Sequence, residues 1–487
     1  MKDKLQTIIM AAGRSSRFKT KRSKLTEKIC GQEMILYTTK ALEKLKIPTA
    51  VIVGYKKEEL QKVITKQHGN KITFIEQKEQ KGTAHALMCS KPIWDKEHLL
   101  IMNADTPLVP ASLLVDLWQH HITSNAAVSF VSAHNIDPSL DSYGKVITDQ
   151  DIVKIVEAKD YAAMIKQDPS KKTDSCCINA GIYIFKKSFL EKAIPQLQSS
   201  SVTAEFYITD LISIASTGGD GVEVVDAPID QVRGINTLRE LWIAEQIKQA
   251  EIITHWMNQG VRFQAAQNSY VELNVVIGAG TFIGQGAQLN GNSDIDEDCY
   301  IEPFTIIDNS VIGRNSIIKS FSIIKDTHIK AGTSVGPLAS INSGSIINSD
   351  SKIGNFVEVK ASHISANTEV RSFSFIGNAN VGENVKIGAG TIICDDNGIE
   401  QSHTVIENDA FIGSNNTLVP PLKIGNRAFT AAGSTVTEDV PADALTIART
   451  RQINKADYRT KLDQRTKQKK HSASTNLLKI KSDISQL

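Results

Sequence analysis

From about residue 271 onward, aliphatic residues recur every six positions: Ile277, Ile283, Leu289, Ile295, Ile301 and Ile307. The run slips and resumes at Ile323, Ile329, Val335, Ile341, Ile347, Ile353 and Val359. Shorter runs follow: Ile364, Val370, Ile376; Val381, Ile387, Ile393; and Ile406, Ile412, Leu418, Ile424. Gly, Asn or Asp often follows the aliphatic residue, and a small residue often sits two positions before the next one. A six-residue period matches neither a helix (about 3.6) nor a strand (about 2). It fits a solenoid whose triangular coils each take three hexads and point the aliphatic side chains inward. The pattern predicts a left-handed parallel β-helix over residues 261–449.

Residues up to about 228 read differently. Strand-like runs at 8–11, 49–53, 72–75, 99–102 and 127–131 alternate with helix-like runs at 34–45, 57–67 and 110–121. That alternation predicts an α/β domain, Rossmann-like, with a mostly parallel sheet covered by helices. Ligands of such sheets bind at the carboxyl ends of the strands. One helix, 238–257, follows as a connecting arm within residues 229–260. Thr237 and Glu240 make a capping box at its start, and Gly260 suits its end. Beyond about Arg451 the chain is rich in Lys, Ser, Thr and Gln. Residues 450–487 are expected to be a mobile, polar, basic tail.

The 487 residues allow two or three domains, and 41% apolar residues suffice for their cores. Lys and Arg number 55 against 53 Asp and Glu, so no global field draws the chain to nucleic acid or to a membrane surface. No apolar run approaches a membrane span. The early apolar run is broken by Gly13 and Arg14, unlike a signal peptide. The six cysteines (Cys30, Cys89, Cys176, Cys177, Cys299, Cys394) form no CxxC pair, which suits reduced thiols in the cytoplasm.

Just after the first strand comes Met10-Ala11-Ala12-Gly13-Arg14-Ser15-Ser16-Arg17, with Lys24 beyond it. Small residues let backbone approach a ligand closely, and Gly13 allows angles that a Cβ would forbid. Strand, small-residue loop and then cations is an arrangement that cradles a polyphosphate. An ordinary strand-loop-helix turn is the plain alternative.

Phosphate-loop domain, helical arm and β-helix, in that order over residues 5–452, resemble the bifunctional N-acetylglucosamine-1-phosphate uridylyltransferase and glucosamine-1-phosphate acetyltransferase family. The resemblance implies that the first domain joins UTP to a sugar 1-phosphate, mainly by positioning the reactants and offsetting negative charge. It casts Arg17, Lys24 and Asp105 as catalytic. Met10, Ala11, Ala12, Gly13 and Lys24 match the phosphate loop. Gln77, Gly82 and Thr83 match a uracil-binding segment. Asn103 precedes Asp105, which matches a Mg2+ ligand, and Asn236 matches a second one. Gly144, Glu157 and Asn179 match residues that hold the sugar, and Tyr207-Ile208-Thr209-Asp210 fits a segment near it. Taken singly, most of these favour a plainer reading: Asp105 as a turn acid before Pro107, Asn236 as a helix N-cap, Lys24 and Glu157 as surface charges, and Asn179 at a strand end. This chain departs from the family at Ser15, usually glycine; at Ser23, usually proline; and at Asn103-Ala104.

The same resemblance implies an acetyl-CoA-dependent acetyltransferase site on the β-helix, and there the match thins. Ser372 stands where the family has a histidine base, Phe375 a tyrosine, Asn342 an arginine, Lys386 an asparagine, Asp395-Asp396 an Asn-Tyr pair, and Gln401 a lysine. Lys360 is kept, as are Ala389, Ser414, Ala432 and Arg449 of the coenzyme A surface. Losing a general base alone costs about 10²–10⁴-fold. Acetyl-CoA is therefore expected as a cosubstrate only if the site is active. His363, nine positions before Ser372, is expected on another face.

The resemblance thus implies a cytoplasmic homotrimer that uses Mg2+, UTP and a sugar 1-phosphate to make UDP-N-acetylglucosamine, a cell-wall and lipopolysaccharide precursor. In this reading the β-helix is mainly a scaffold. A fully bifunctional enzyme and a non-catalytic nucleotide-sugar-binding scaffold are the competing readings.

Overall fold

The computed structural model describes residues 1–14, 16–20, 22–134, 143–149, 152–172, 176–396 and 399–484. Ser15, one of the phosphate-loop departures, lies outside them. The chain divides into two compact units, Met1–Ala361 and Ser362–Leu487.

The first unit begins with a nine-stranded sheet. Its strands are β1 (Leu5–Ala11), β2 (Thr49–Val53), β3 (Thr73–Glu76), β4 (His98–Asn103), β5 (Val128–His134), β6 (Lys145–Asp149), β7 (Ile152–Val156), β8 (Cys177–Lys186) and β9 (Val222–Asp226). The order is β9-β5-β8-β4-β1-β2-β3, with β6 paired to β8 and β7 paired to β6. Strands β1 to β4 pair in parallel, as the alternation predicts. β8 runs antiparallel to both β4 and β5. An apolar run carries no mark of its direction, so nothing in the sequence pattern showed this reversal. Ile8, Ile52, Ile101, Phe130 and Phe185 meet in the core beneath the sheet. Fully burying each such side chain stabilises the fold by roughly 1.5–3 kcal/mol.

The arm helix spans Leu238–Asn258. Thr237 accepts a bond from the Glu240 amide, while the Glu240 carboxylate takes the Asn236 amide at 2.7 Å and the Thr237 hydroxyl at 3.1 Å. Gly260, at φ 89°, lets the chain turn away from the helix end. Gln249 lies buried midway along the helix and grips Val271 with both ends of its amide, Nε2 to the carbonyl at 2.8 Å and Oε1 to the N–H at 3.1 Å. Val271 belongs to the first coil of the β-helix. Leu273 donates to the Cys30 carbonyl at 3.0 Å. Cys30 lies in the turn of a hairpin, Lys28–Ile29 paired with Gln32–Glu33, so arm, coil and hairpin are tied together.

The coils are a left-handed parallel β-helix, three ribbons of strands two or three residues long. Ile283, Ile301 and Ile318 stack in parallel register on one ribbon, all at 0% exposure. The small residues two places earlier are buried as well, and their hydroxyls satisfy corner carbonyls: Thr281 donates to Asp296 and Ser316 to Lys330.

One inward assignment is overturned. Ile323 is 46% exposed and Ile324 takes the inner place. From Ile307 to Ile312, and again from Ile324 to Ile329, the inward step is one residue shorter than a hexad. Those corners turn on a single left-handed residue, Asn309 at φ 46° and Asp326 at φ 49°. Asn and Asp enter that region most readily among residues with a Cβ. The expected slip is real, but it falls at corners and shifts the register by one.

The basic tail carries a helix. Tyr458–Ile484 is helical over 27 residues, and its side chains are exposed as far as Asn476. The segment after Pro441 contains neither Gly nor Pro, so helix propensity runs uninterrupted there. Among the described residues, no helix is long and apolar enough to cross a membrane.

Candidate functional site

The carboxyl ends of β1 and β4 open into a cavity of about 490 Å³. Met10 to Gly13, Arg17, Lys24, Gln77, Gly82, Thr83, Asn103, Asp105 and Asn236 all line it. The loop after β1 is pinned from two sides: the Ala104 amide donates to the Met10 carbonyl at 3.1 Å, and Gln80 Nε2 to the Ala12 carbonyl at 2.6 Å. Gly13 does not use its backbone freedom. Its φ lies outside the left-handed region, and a Cβ built there would meet nothing within 4 Å. Its absent side chain keeps the mouth of the cavity open; backbone strain is not the reason for glycine. Gly82 is the strained position, at φ 103°, where a Cβ would come within 2.4 Å of the Phe206 carbonyl. That close approach starts the helix Thr83–Cys89 against the chain at Phe206.

Lys24 is the hub. Its Nζ donates to Asp105 Oδ2 at 2.7 Å, to the Ile235 carbonyl at 2.9 Å and to Asn236 Oδ1 at 2.9 Å. Arg17 donates to the same Asn236 oxygen at 2.8 Å. The Ile235 amide in turn donates to the Asp105 carbonyl, which holds the turn before the arm against the end of β4. Lys24 sits in a short 3₁₀ turn capped by Ser23, whose hydroxyl accepts from the Leu25 amide at 3.4 Å. Ser23 has φ −67°, within the range that proline imposes. The serine therefore keeps the turn that a proline would preset, and adds a cap.

Gln77 is buried, with Nε2 directed to the Gly82 carbonyl at 3.2 Å and to His85 Nδ1 at 3.0 Å. Asp105 Oδ2 and Asn236 Oδ1 converge on one cation, the Lys24 ammonium. One carboxylate and one amide oxygen suit Mg2+, which completes its shell with phosphate oxygens and water.

Gly144, Glu157 and Asn179 form a second cluster outside the lining of that cavity. The Asn179 amide donates to the Gly144 carbonyl at 2.9 Å, and a Cβ on Gly144 would lie 3.7 Å from Glu157 Oε2. Glu157 accepts the Thr209 hydroxyl at 3.0 Å. Burial pushes its carboxyl above the ordinary range, against the Thr209 bond, and Asp210 adds to the rise. Asn179 Nδ2 donates to Tyr183, and its Oδ1 accepts the Gly181 amide. Asn103 packs directly on Gly181 and so stands between the two clusters.

Three residues escaped sequence reasoning. Gln80 and Glu205 line the cavity. Tyr143 exchanges bonds with Gly234, its hydroxyl accepting from the amide at 2.7 Å. Gln80 was findable, as a second amide three residues after Gln77; Glu205 and Tyr143 carry no local signal.

On the second unit, Ser372, Ala389, Ser414 and Ala432 stand in one corner column. The Gly390 amide donates to the Ser372 carbonyl, Asn415 to Ala389, and Gly433 to Ser414, at 2.8–2.9 Å. Phe375 opens the next strand. His363 lies on a different ribbon, paired with Asn380. Arg449 is exposed beyond the last strand. On the first unit, Asn342 and Lys360 are register partners.

Two family models match: a MobA-like NTP transferase domain over residues 7–149, and a hexapeptide repeat of succinyl-transferase over residues 403–438. Three full-length relatives carry the name bifunctional protein GlmU. That of Exiguobacterium sibiricum is 35% identical over 93% of this chain and 99% of its own. That of Caldicellulosiruptor saccharolyticus is 39% identical over 94% and 98%, and that of Thermosipho africanus 37% over 93% and 97%. Among solved structures, the inositol-1-phosphate CTP transferase from T. maritima matches at a TM-score of 0.36 and 15% identity, over 49% of this chain and 91% of that one.

Proposed function

We propose, from the premise that this chain belongs to the bifunctional GlmU family, that residues 1–228 transfer UMP from UTP to N-acetylglucosamine 1-phosphate, giving UDP-N-acetylglucosamine and pyrophosphate. Residues 229–260 are the linker and residues 450–487 an appended basic tail. Residues 261–449 form a β-helix that serves mainly as a trimerising scaffold. The protein works in the cytoplasm.

The observation that carries the reading is the convergence of Lys24, Arg17, Asp105 and Asn236 under the small-residue loop. Two cations beside open backbone are what a triphosphate needs. Magnesium, when bound by Asp105 and Asn236, would neutralise charge on the phosphate oxygens. Arg17 and Lys24 offset the remaining charge. The amides of Gln77 and Gln80 supply donors and acceptors for a base edge. Glu157, Asn179 and Gly144 receive the acetamido sugar, and Asn103 sets the distance between the two halves. The sheet domain therefore acts by positioning its reactants in line and by offsetting charge.

Pyrophosphate release from UTP, N-acetylglucosamine 1-phosphate and Mg2+ tests this. Binding of UDP-N-acetylglucosamine without turnover would move the protein to the scaffold reading.

Loss of the acetyl site is supported by its side chains. Ser372 offers no imidazole, Phe375 no hydroxyl, and Asn342 no charge beside Lys360. The name shared by the relatives favours the second reading, that the β-helix still acetylates glucosamine 1-phosphate. Free thiol released from acetyl-CoA in the presence of glucosamine 1-phosphate separates the two.

A further inference from the structure

Outside the lining of the Lys24 cavity, three strand ends of the sheet bring a thiol, an imidazole and a carboxylate together. Cys177 opens β8 and lies directly opposite His134, the last residue of β5. Its Sγ is 3.5 Å from His134 Nδ1. His134 Nε2 is 3.9 Å from Asp226 Oδ2, at the end of β9. The other Asp226 oxygen accepts the Ser132 hydroxyl, which fixes the carboxylate. Cys177 is half-buried, and the imidazole beside it is exposed.

A thiol becomes nucleophilic when a neighbour takes its proton and holds the resulting charge. His134 is placed to take that proton, and the Asp226 carboxylate lies beyond the other nitrogen of its ring. Burial keeps four other thiols of the chain protonated. Burial pushes Cys30 up to about 12 and Cys299 up to about 11, and it raises Cys89 and Cys394. Lys145, opposite Ile178 in the register, projects from the other face of the sheet. Among the described residues, His134 and Asp226 are the ionisable side chains that these strand ends bring to Cys177.

We propose that Cys177 is a modification site, a nucleophilic thiol activated by His134 and Asp226 that takes up small disulfides. The Cys177 thiolate attacks one sulfur of the disulfide. A new S–S bond forms and the old one breaks. The departing thiolate leaves with the electron pair and receives the proton held by His134. Cys177 is oxidised to a mixed disulfide, and half of the small disulfide is reduced to a thiol. The adduct would stand two residues from Asn179 on the same strand.

The full-length protein is incubated with oxidised glutathione, and the adduct is located by peptide mass, a readout independent of nucleotidyl transfer. Wild type should gain one glutathionyl group, at Cys177, and Cys177→Ser should lose it. His134→Gln should slow uptake by about tenfold or more and move the pH midpoint of iodoacetamide alkylation of Cys177 upward. Asp226→Asn should shift that midpoint in the same direction by less. Uptake at another thiol as fast as at Cys177, or a His134→Gln protein with wild-type rate and midpoint, overturns the proposal.

Discussion

Lys24 reaches across 81 residues of sequence to hold its ammonium 2.7 Å from Asp105. Neither side chain is open to solvent, at 12% and 20% exposure. A pair this sheltered feels little screening, so removing either partner leaves a charge in a poor environment. Lys24→Ala should lower kcat for pyrophosphate formation by about 10²–10³-fold. Asp105→Ala should abolish turnover while the oligomer, measured by light scattering, stays as in wild type. Full activity in Asp105→Ala would remove it from the metal site.

Glu157 should report its burial through pH. Its carboxyl is raised in the folded chain, so between its ordinary value of 4.5 and the raised one the native state holds the extra proton. Stability falls as pH rises through that window and is level above it. Glu157→Gln removes the ionisation. It should raise Tm relative to wild type at pH 7, with the difference vanishing below about pH 4.5. The same variant should raise KM for the sugar phosphate. A Tm difference that ignores pH would refute the electrostatic origin.

The buried histidines make the sheet domain sensitive to acid. His121 donates or accepts at 2.7 Å to Ser129 and at 3.0 Å to His98, and burial lowers it to about 3. His98 is lowered too, also by burial. A depressed histidine contributes stability fully above its unfolded value near 6.5, and that stability is lost as pH falls toward 3. From pH 6.5 to pH 5 the loss is about 2 kcal/mol per fully shifted group. Denaturant melts at the two pH values, with His121→Gln as the comparison, should show a shallower decline in the variant.

Gln249→Leu should break the joint between arm and coil. Val271 would keep its N–H and carbonyl buried without their side-chain partner. The penalty is about 1–3 kcal/mol for each such group, read as a lower unfolding midpoint. An unchanged midpoint would mean that the Leu273–Cys30 bond suffices.

Within the stack, Ile318→Ala should cost about 2–5 kcal/mol by opening a cavity at a fully buried place. Ile323→Ala should cost far less, since Ile323 points outward. Equal losses at the two positions would contradict the shifted register.

Much of this was legible in the sequence because repetition and order are visible there. The hexads announced the β-helix, and the strand-loop-cation motif led to the residues that now line one cavity. What failed was local. A five-residue corner looks the same as a six-residue one when only the aliphatic spacing is followed, so Ile323 was placed inward. Gly13 was read for its backbone freedom, whereas only coordinates distinguish strain from open space. β8 hid its direction, and with it the meeting of Cys177 and His134, because cross-strand neighbours depend on register.

The corners of the coils carry one more meaning. The loop between Ile393 and Ile406 is longer than any neighbouring turn, yet Ile392 still pairs with Thr417 and Ala379 with Thr404. Ribbons thus keep their places whatever happens at the bends. Ser372, Ala389, Ser414 and Ala432 all sit at bends. A chemistry written there can be erased, or a new one written, while the stack beneath melts as before. Thermal stability is therefore blind to whether the β-helix still transfers an acetyl group, and selection acting through folding would neither preserve nor remove that site.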